Sequence, residues 1–199
     1  WVIEQGAVGG VPLLEFQFGC SANAEAFVPS AYQFTYFQAA GFDVSLLSFL
    51  QIDSHGSVNV SWLGARPHVT AGAGGFVDIT TRAKRIVYSG FYNAGAKMDV
   101  RDGKLVIERE GKVKKLVKEV EHVTFSGRRG TAQGQDVTYV TERCVLKLTN
   151  EGIVVTEIAP GVELQSNILD QAEFPLIVAP DLKLMDARLF VPEKMGLVV

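Results

Sequence analysis

The passage from residue 72 to residue 88 constrains this chain most. Gly72-Ala73-Gly74-Gly75 is a glycine loop, residues 78–85 have helical composition, and Ile86-Val87-Tyr88 is short and apolar. Loop, helix and strand in that order are α/β grammar, because a crossover helix is what joins parallel strands. With 199 residues, 47% of them hydrophobic, the chain fits one domain over 1–199 and leaves no room for a second.

The remaining segments extend this pattern. Residues 1–3 read as a short strand running into Gly6, Gly9, Gly10 and Pro12, a density of turn formers that a tightly folded backbone requires. Residues 21–27 read as a short helix, and the aromatic-rich 32–40 as a helix closed by Gly41. The apolar run 44–52 predicts a strand buried on both faces, turned by Ser54-His55-Gly56 into a hairpin with 58–63. Asp102-Gly103 between 97–100 and 105–109 is a type I′ hairpin signal, and the basic stretch 112–119 reads as solvated. Further strands are expected at 120–125, 137–140, 144–148 and 153–158, and Pro160-Gly161 opens a last helix at 163–172. The expected fold is an open, mostly parallel, mixed sheet with helices on both faces.

Charge and cysteines exclude several functions. Twenty-two acidic residues against 19 basic ones give a net charge of −3, with no basic footprint for a nucleic acid or an anionic membrane. Cys20 and Cys144 lie far apart with no His or Cys at ligand spacing, so neither a disulfide scaffold nor a metal site is expected. A reducing cytoplasm is the default location. No apolar run reaches the length of a membrane span. The start at Trp1 without Met suggests a piece of a longer polypeptide.

Few residues are placed to do chemistry. Glu4 follows a short strand and precedes residues too small to bury it, so it is either a solvated loop acid or a carboxylate that a ligand can reach as nucleophile or base. Gly72 to Gly75 form either a plain tight turn or a cradle of backbone N–H groups for an anion or oxyanion. They match neither the G-x-G-x-x-G nor the P-loop pattern. His55, His68 and His122 have no catalytic partner at a recognisable spacing, no G-x-S-x-G occurs, and both cysteines sit among apolar neighbours, as inert packing thiols do. Glu142 and Glu157 lie in expected strands, where structural ion pairs are the favoured reading.

Taken together, Glu4 to Pro12 (EQGAVGGVP), Val58-Asn59-Val60-Ser61, Gly72 to Thr80 (GAGGFVDIT), Val137 to Val145 (VTYVTERCV), Glu157 to Gly161 (EIAPG) and Leu182 to Phe190 (LKLMDARLF) resemble the class I coenzyme A transferases. The resemblance is to their propionate or acetate CoA-transferase branch, and this chain is similar to the C-terminal half. It implies the nucleophilic glutamate at Glu4 and contacts to the CoA thioester from Gly75 first, then Gly74 and Gly72. Implied partners are acyl-CoA and short-chain carboxylic acids, the N-terminal half of the same polypeptide, and further copies in a homo-oligomer. CoA would come and go as substrate, with no tightly bound cofactor and no metal. Hydrolysis of the same thioester, or a non-catalytic binding domain on the same fold, are the alternatives. Ala39-Ala40-Gly41 and Cys20 depart from the family pattern without touching Glu4.

Overall fold

A computed structural model describes residues 1–69 and 72–197. At its N-terminal end, Ala7–Val8 (β1) pairs antiparallel with Ala26–Phe27 (β4), and Val11–Pro12 (β2) with Ser21–Ala22 (β3). The helix expected at 21–27 is therefore two strands. Its composition suits a helix, but Asn23 adopts φ 56°, the left-handed region that interrupts any helical run, and residues 7–12 offer strand partners. Ser30–Ala40 (α1) follows and buries Gln33 and Phe37, which are one turn apart. Gly41, at φ 72°, ends it by donating its N–H to the Phe37 carbonyl.

From there the chain enters a six-stranded sheet. Val44–Ser48 (β5) leads into the expected hairpin, Gln51–Ile52 (β6) against Val58–Asn59 (β7). Phe76–Thr81 (α2) then returns the chain to Arg85–Ser89 (β8), parallel to β5. Asn93–Ala94 (β9), the hairpin Lys97–Arg101 (β10) and Lys104–Arg109 (β11), and Val113–Lys114 (β12) form an excursion. Asp102 and Gly103, at φ 52° and 72°, make the predicted turn. After Gly127–Ala132 (α3) come Asp136–Val140 (β13), Cys144–Thr149 (β14), Gly152–Ile158 (β15) and Ile177–Leu184 (β16). The sheet order is β16-β15-β14-β13-β8-β5. The pairs β5–β8, β8–β13 and β15–β16 are parallel and the other two antiparallel.

One face of this sheet is the core. Ile86, Tyr88, Val137, Tyr139, Leu146 and Val155 are fully buried there, each contributing about 1.5–3 kcal/mol of transfer free energy. Tyr88 stacks between Phe76 of α2 and Tyr139, at 5.7 and 5.5 Å between ring centroids, and meets Phe125 just before α3. Ser45 on the same face reaches the Ile79 carbonyl in α2, and α1 packs on α2. The α/β class and mostly parallel order are as expected. On the reverse side Leu46 is 76% exposed, and Arg85, Asp136 and Lys147 form a line of ion pairs. For that reason β5 alternates buried and exposed instead of being buried on both faces.

Three further expectations change. Within 112–119, Leu116 is fully buried and Lys115 sets its ammonium 4.0 Å over the Phe49 ring, so the stretch is not uniformly solvated. Residues 120–125 supply only the bridge from Phe125 to Val58. The last helix is a π-helical turn, Leu164–Ile168, and a 3-10 turn, Leu169–Gln171. Among the described residues, no helix is long and apolar enough to cross a membrane.

Candidate active site

Glu4 sits on a four-residue turn. The Gly6 N–H donates to the Ile3 carbonyl at 2.9 Å, Ile3 N–H to the Ala7 carbonyl at 2.8 Å, and Val2 bridges Val8, so Glu4 and Gln5 occupy the middle of the turn. Gly6 has φ 113°, and a Cβ there would stand 2.2 Å from the Val28 carbonyl oxygen, so no other residue fits. From α1, the buried Gln33 amide donates to the Ile3 carbonyl and, at 3.3 Å, to that of Glu4. The nucleophile candidate is therefore held by its backbone while its side chain stays half-buried.

The glycine loop meets that side chain. Gly75 donates its backbone N–H to Oε1 of Glu4 at 3.1 Å. Its own φ and ψ, −83° and 6°, suit any residue; what demands glycine is space. An added Cβ would lie 2.3 Å from Cε1 of Phe34 and 3.0 Å from Cδ of Glu4. At Gly74, φ 51°, a Cβ would come 3.3 Å from the same Oε1. Gly72 stands apart: its φ of 83° turns the loop, with no atom of the described residues within 4 Å of an added Cβ. Two of the three candidate glycines thus converge on Glu4. Among the described residues Oε2 of Glu4 has no hydrogen-bond partner, so one carboxylate oxygen is anchored by a backbone N–H and the other is unpartnered there.

The other sequence candidates lie elsewhere. Nε2 of His55 meets Nη2 of Arg128 at 2.7 Å, and Nδ1 of His122 meets Oγ of Ser61 at 2.5 Å, which in turn contacts the Thr124 hydroxyl at 2.8 Å. Among the described residues no carboxylate completes that chain. Cys144 is buried, and burial pushes its thiol up to about 12; Cys20 is exposed rather than packed, because β3 follows it at the surface. Glu142 serves structure: it pairs with the fully buried Arg143 at 2.7 Å, beside Glu110 at 2.5 Å. Burial would lower the Arg143 pKa, but the hydrogen bonds its guanidinium donates to these two carboxylates outweigh it and raise it. Among the described residues no group of three His, Cys, Asp or Glu could hold a metal ion.

Sequence reasoning missed Gln33 and Phe34. Both lie in an aromatic-rich segment whose residue types give no sign that it reaches Glu4. The segment carrying Glu4 also carries Leu14, Phe16, Phe18, Phe27 and Tyr32, which are 72–102% exposed. Such a concentration of uncovered apolar surface marks a place of contact.

No protein-family model matches the chain. Over 198 residues, 99% of the chain, it is 41% identical to the acetate CoA-transferase YdiF of Escherichia coli (strain K12). It is 45% identical over 199 residues to the caffeate CoA-transferase of Acetobacterium woodii. In both cases it spans 37% of the relative's length. A crystal structure of the acyl-CoA transferase YdiF from E. coli O157:H7, a thioester complex with CoA, superposes with a TM-score of 0.91 at 40% identity, covering 100% of this chain and 37% of that one. Along its whole length, then, the chain is similar to acetate and caffeate CoA-transferases, of which it spans 37%.

Proposed function

We propose that the protein transfers coenzyme A between a short-chain acyl-CoA and an acceptor carboxylic acid through a glutamyl-CoA thioester on Glu4. One observation carries the reading: the Gly75 N–H holds Oε1 of Glu4, while among the described residues Oε2 has no partner. Oε2 attacks the acyl carbonyl carbon and the C–S bond breaks, giving a mixed anhydride and CoA thiolate. The thiolate attacks Cδ of Glu4, pushing the carbonyl electron pair onto Oε1, where the Gly75 N–H already donates. Collapse expels the acyl carboxylate and leaves the thioester; an acceptor carboxylate then runs the two steps in reverse. A donor placed where the oxyanion forms is worth about 2.7–4 kcal/mol. CoA enters and leaves as substrate, and Gly74, with no side chain, leaves its path open.

The apolar surface beside Glu4 supports a site completed by more than this chain. In this reading the rest of the polypeptide that the relatives possess, their N-terminal half, closes against Phe16, Phe18 and Phe27 and supplies part of the acyl pocket. Copies of the whole enzyme would associate as a homo-oligomer. The test is Glu4→Gln in the full-length protein. It keeps the shape and loses the anionic nucleophile, so transfer should fall to background, with the mass checked for deamidation back to Glu. Near-normal transfer by the Glu4→Gln variant, its mass verified, would rule the reading out.

A further inference from the structure

A glutamyl thioester can be intercepted by water, which would turn a transferase into a hydrolase. Something must keep water from Cδ of Glu4, and the structure offers one group in position. A single point, the place a Cβ would occupy on Gly75, lies 2.3 Å from Cε1 and 2.8 Å from Cζ of Phe34, and 3.0 Å from Cδ of Glu4. Ring edge and carboxyl carbon are therefore no further apart than the first and last distances combined, too close to admit a water molecule between them. The ring is braced on one side: Phe34 packs edge-on against Phe37 at 5.6 Å, and Phe37 against Phe42 at 4.6 Å. Phe37 is buried, and the preceding residue, Gln33, ties the same turn of α1 to the Glu4 backbone.

We infer that Phe34 is a positioning residue that shields the Gly75-facing side of the Glu4 carboxyl carbon and so keeps the enzyme a transferase rather than a hydrolase. This rests on the glutamyl-thioester reading above. The missing side chain at Gly75 has a second purpose here, since the space it leaves is filled by the ring. The reaction suppressed is attack of water on Cδ of the thioester: a C–O bond forms, the C–S bond breaks, CoA leaves as thiolate, and the Glu4 carboxylate is regenerated. One of water's two protons goes to the thiolate and the other to solvent.

The test loads the full-length protein with acetyl-CoA in the absence of acceptor, removes the released acetate by desalting, and follows the adduct on the Glu4 peptide by mass in H2(18)O. In the unaltered protein the adduct should persist. In Phe34→Ala it should decay on the order of tenfold faster, with one 18O entering the Glu4 carboxylate, while transfer to added acetate falls less than hydrolysis rises. Phe34→Leu, which keeps apolar cover on the same helix, should fall between the two and serves if the alanine variant does not fold. Adduct lifetimes in Phe34→Ala, or failing that Phe34→Leu, equal to that of the unaltered protein would overturn the shield while leaving Glu4 as nucleophile. No adduct in the unaltered protein would overturn the nucleophile itself, and the shield with it.

Discussion

Replacing Gly75 by Ala asks whether the space beside Glu4, and not the flexibility of glycine, is what the proposed site needs. At φ −83° and ψ 6° the backbone accepts alanine without strain. The added methyl would stand 2.3 Å from the Phe34 ring and 3.0 Å from Cδ of Glu4, whereas carbon atoms in contact rest at about 3.5–4.0 Å. The ring must withdraw by roughly 1 Å and the carboxyl by about half that, and a misplacement of about 1 Å near the reacting atoms costs on the order of 10²-fold. The obstacle is the far end of a side chain, so the stability loss should stay near about 1 kcal/mol. Steady-state transfer by the full-length variant should therefore drop by about two orders of magnitude with little change in thermal midpoint. Removing the obstacle in Phe34→Ala/Gly75→Ala should recover part of the transfer rate, so the two losses will not add. If Gly75→Ala transfers CoA within about threefold of the unaltered enzyme, or if the double variant shows no coupling, the site does not depend on that space.

Two other perturbations follow from the same contacts. Gln33→Leu leaves the Ile3 and Glu4 carbonyls without their buried donor, a loss of about 1–3 kcal/mol. Its kcat should fall about tenfold with KM little changed, and an unchanged kcat would show that the turn holds itself. Lys115 has its pKa pushed down by burial to about 8, partly offset by Glu142. Because its ordinary value is 10.5, the fold carries a penalty for the charged form that is full below about pH 8 and fades as pH rises toward 10.5. Lys115→Met should therefore stabilise the protein by about 1–2 kcal/mol at pH 7, after allowance for solvent screening. The gain should shrink toward zero by pH 10; denaturant titrations at the two pH values check it, and destabilisation at pH 7 would contradict it.

Where residue types report local conformation, the sequence was a good guide. The Asp102-Gly103 hairpin, the Gly41 helix end and the loop, helix and strand of 72–88 all follow from φ preferences and apolar spacing. Residues 21–27 misled because helical composition is a weak prior that pairing with residues 7–12 overrides. β16 went unread because Pro180 and Asp181 lie inside it, tolerated only because the strand is at the sheet edge. At the site, Glu4 and Gly75 stood out by residue type and motif, but their contact joins positions 71 residues apart. Gln33 and Phe34 had no local signal at all, since their role arises only when α1 is folded against the Glu4 turn.

The proposed glutamyl thioester is itself open to capture: incubate the full-length protein with acyl-CoA and no acceptor, reduce with borohydride, and locate the modified residue by peptide mass. Reduction at Glu4 alone is expected, since the thioester persists until a carboxylate attacks it. A CoA adduct on Cys20, Cys144 or any acid other than Glu4 would contradict a glutamyl nucleophile at this position.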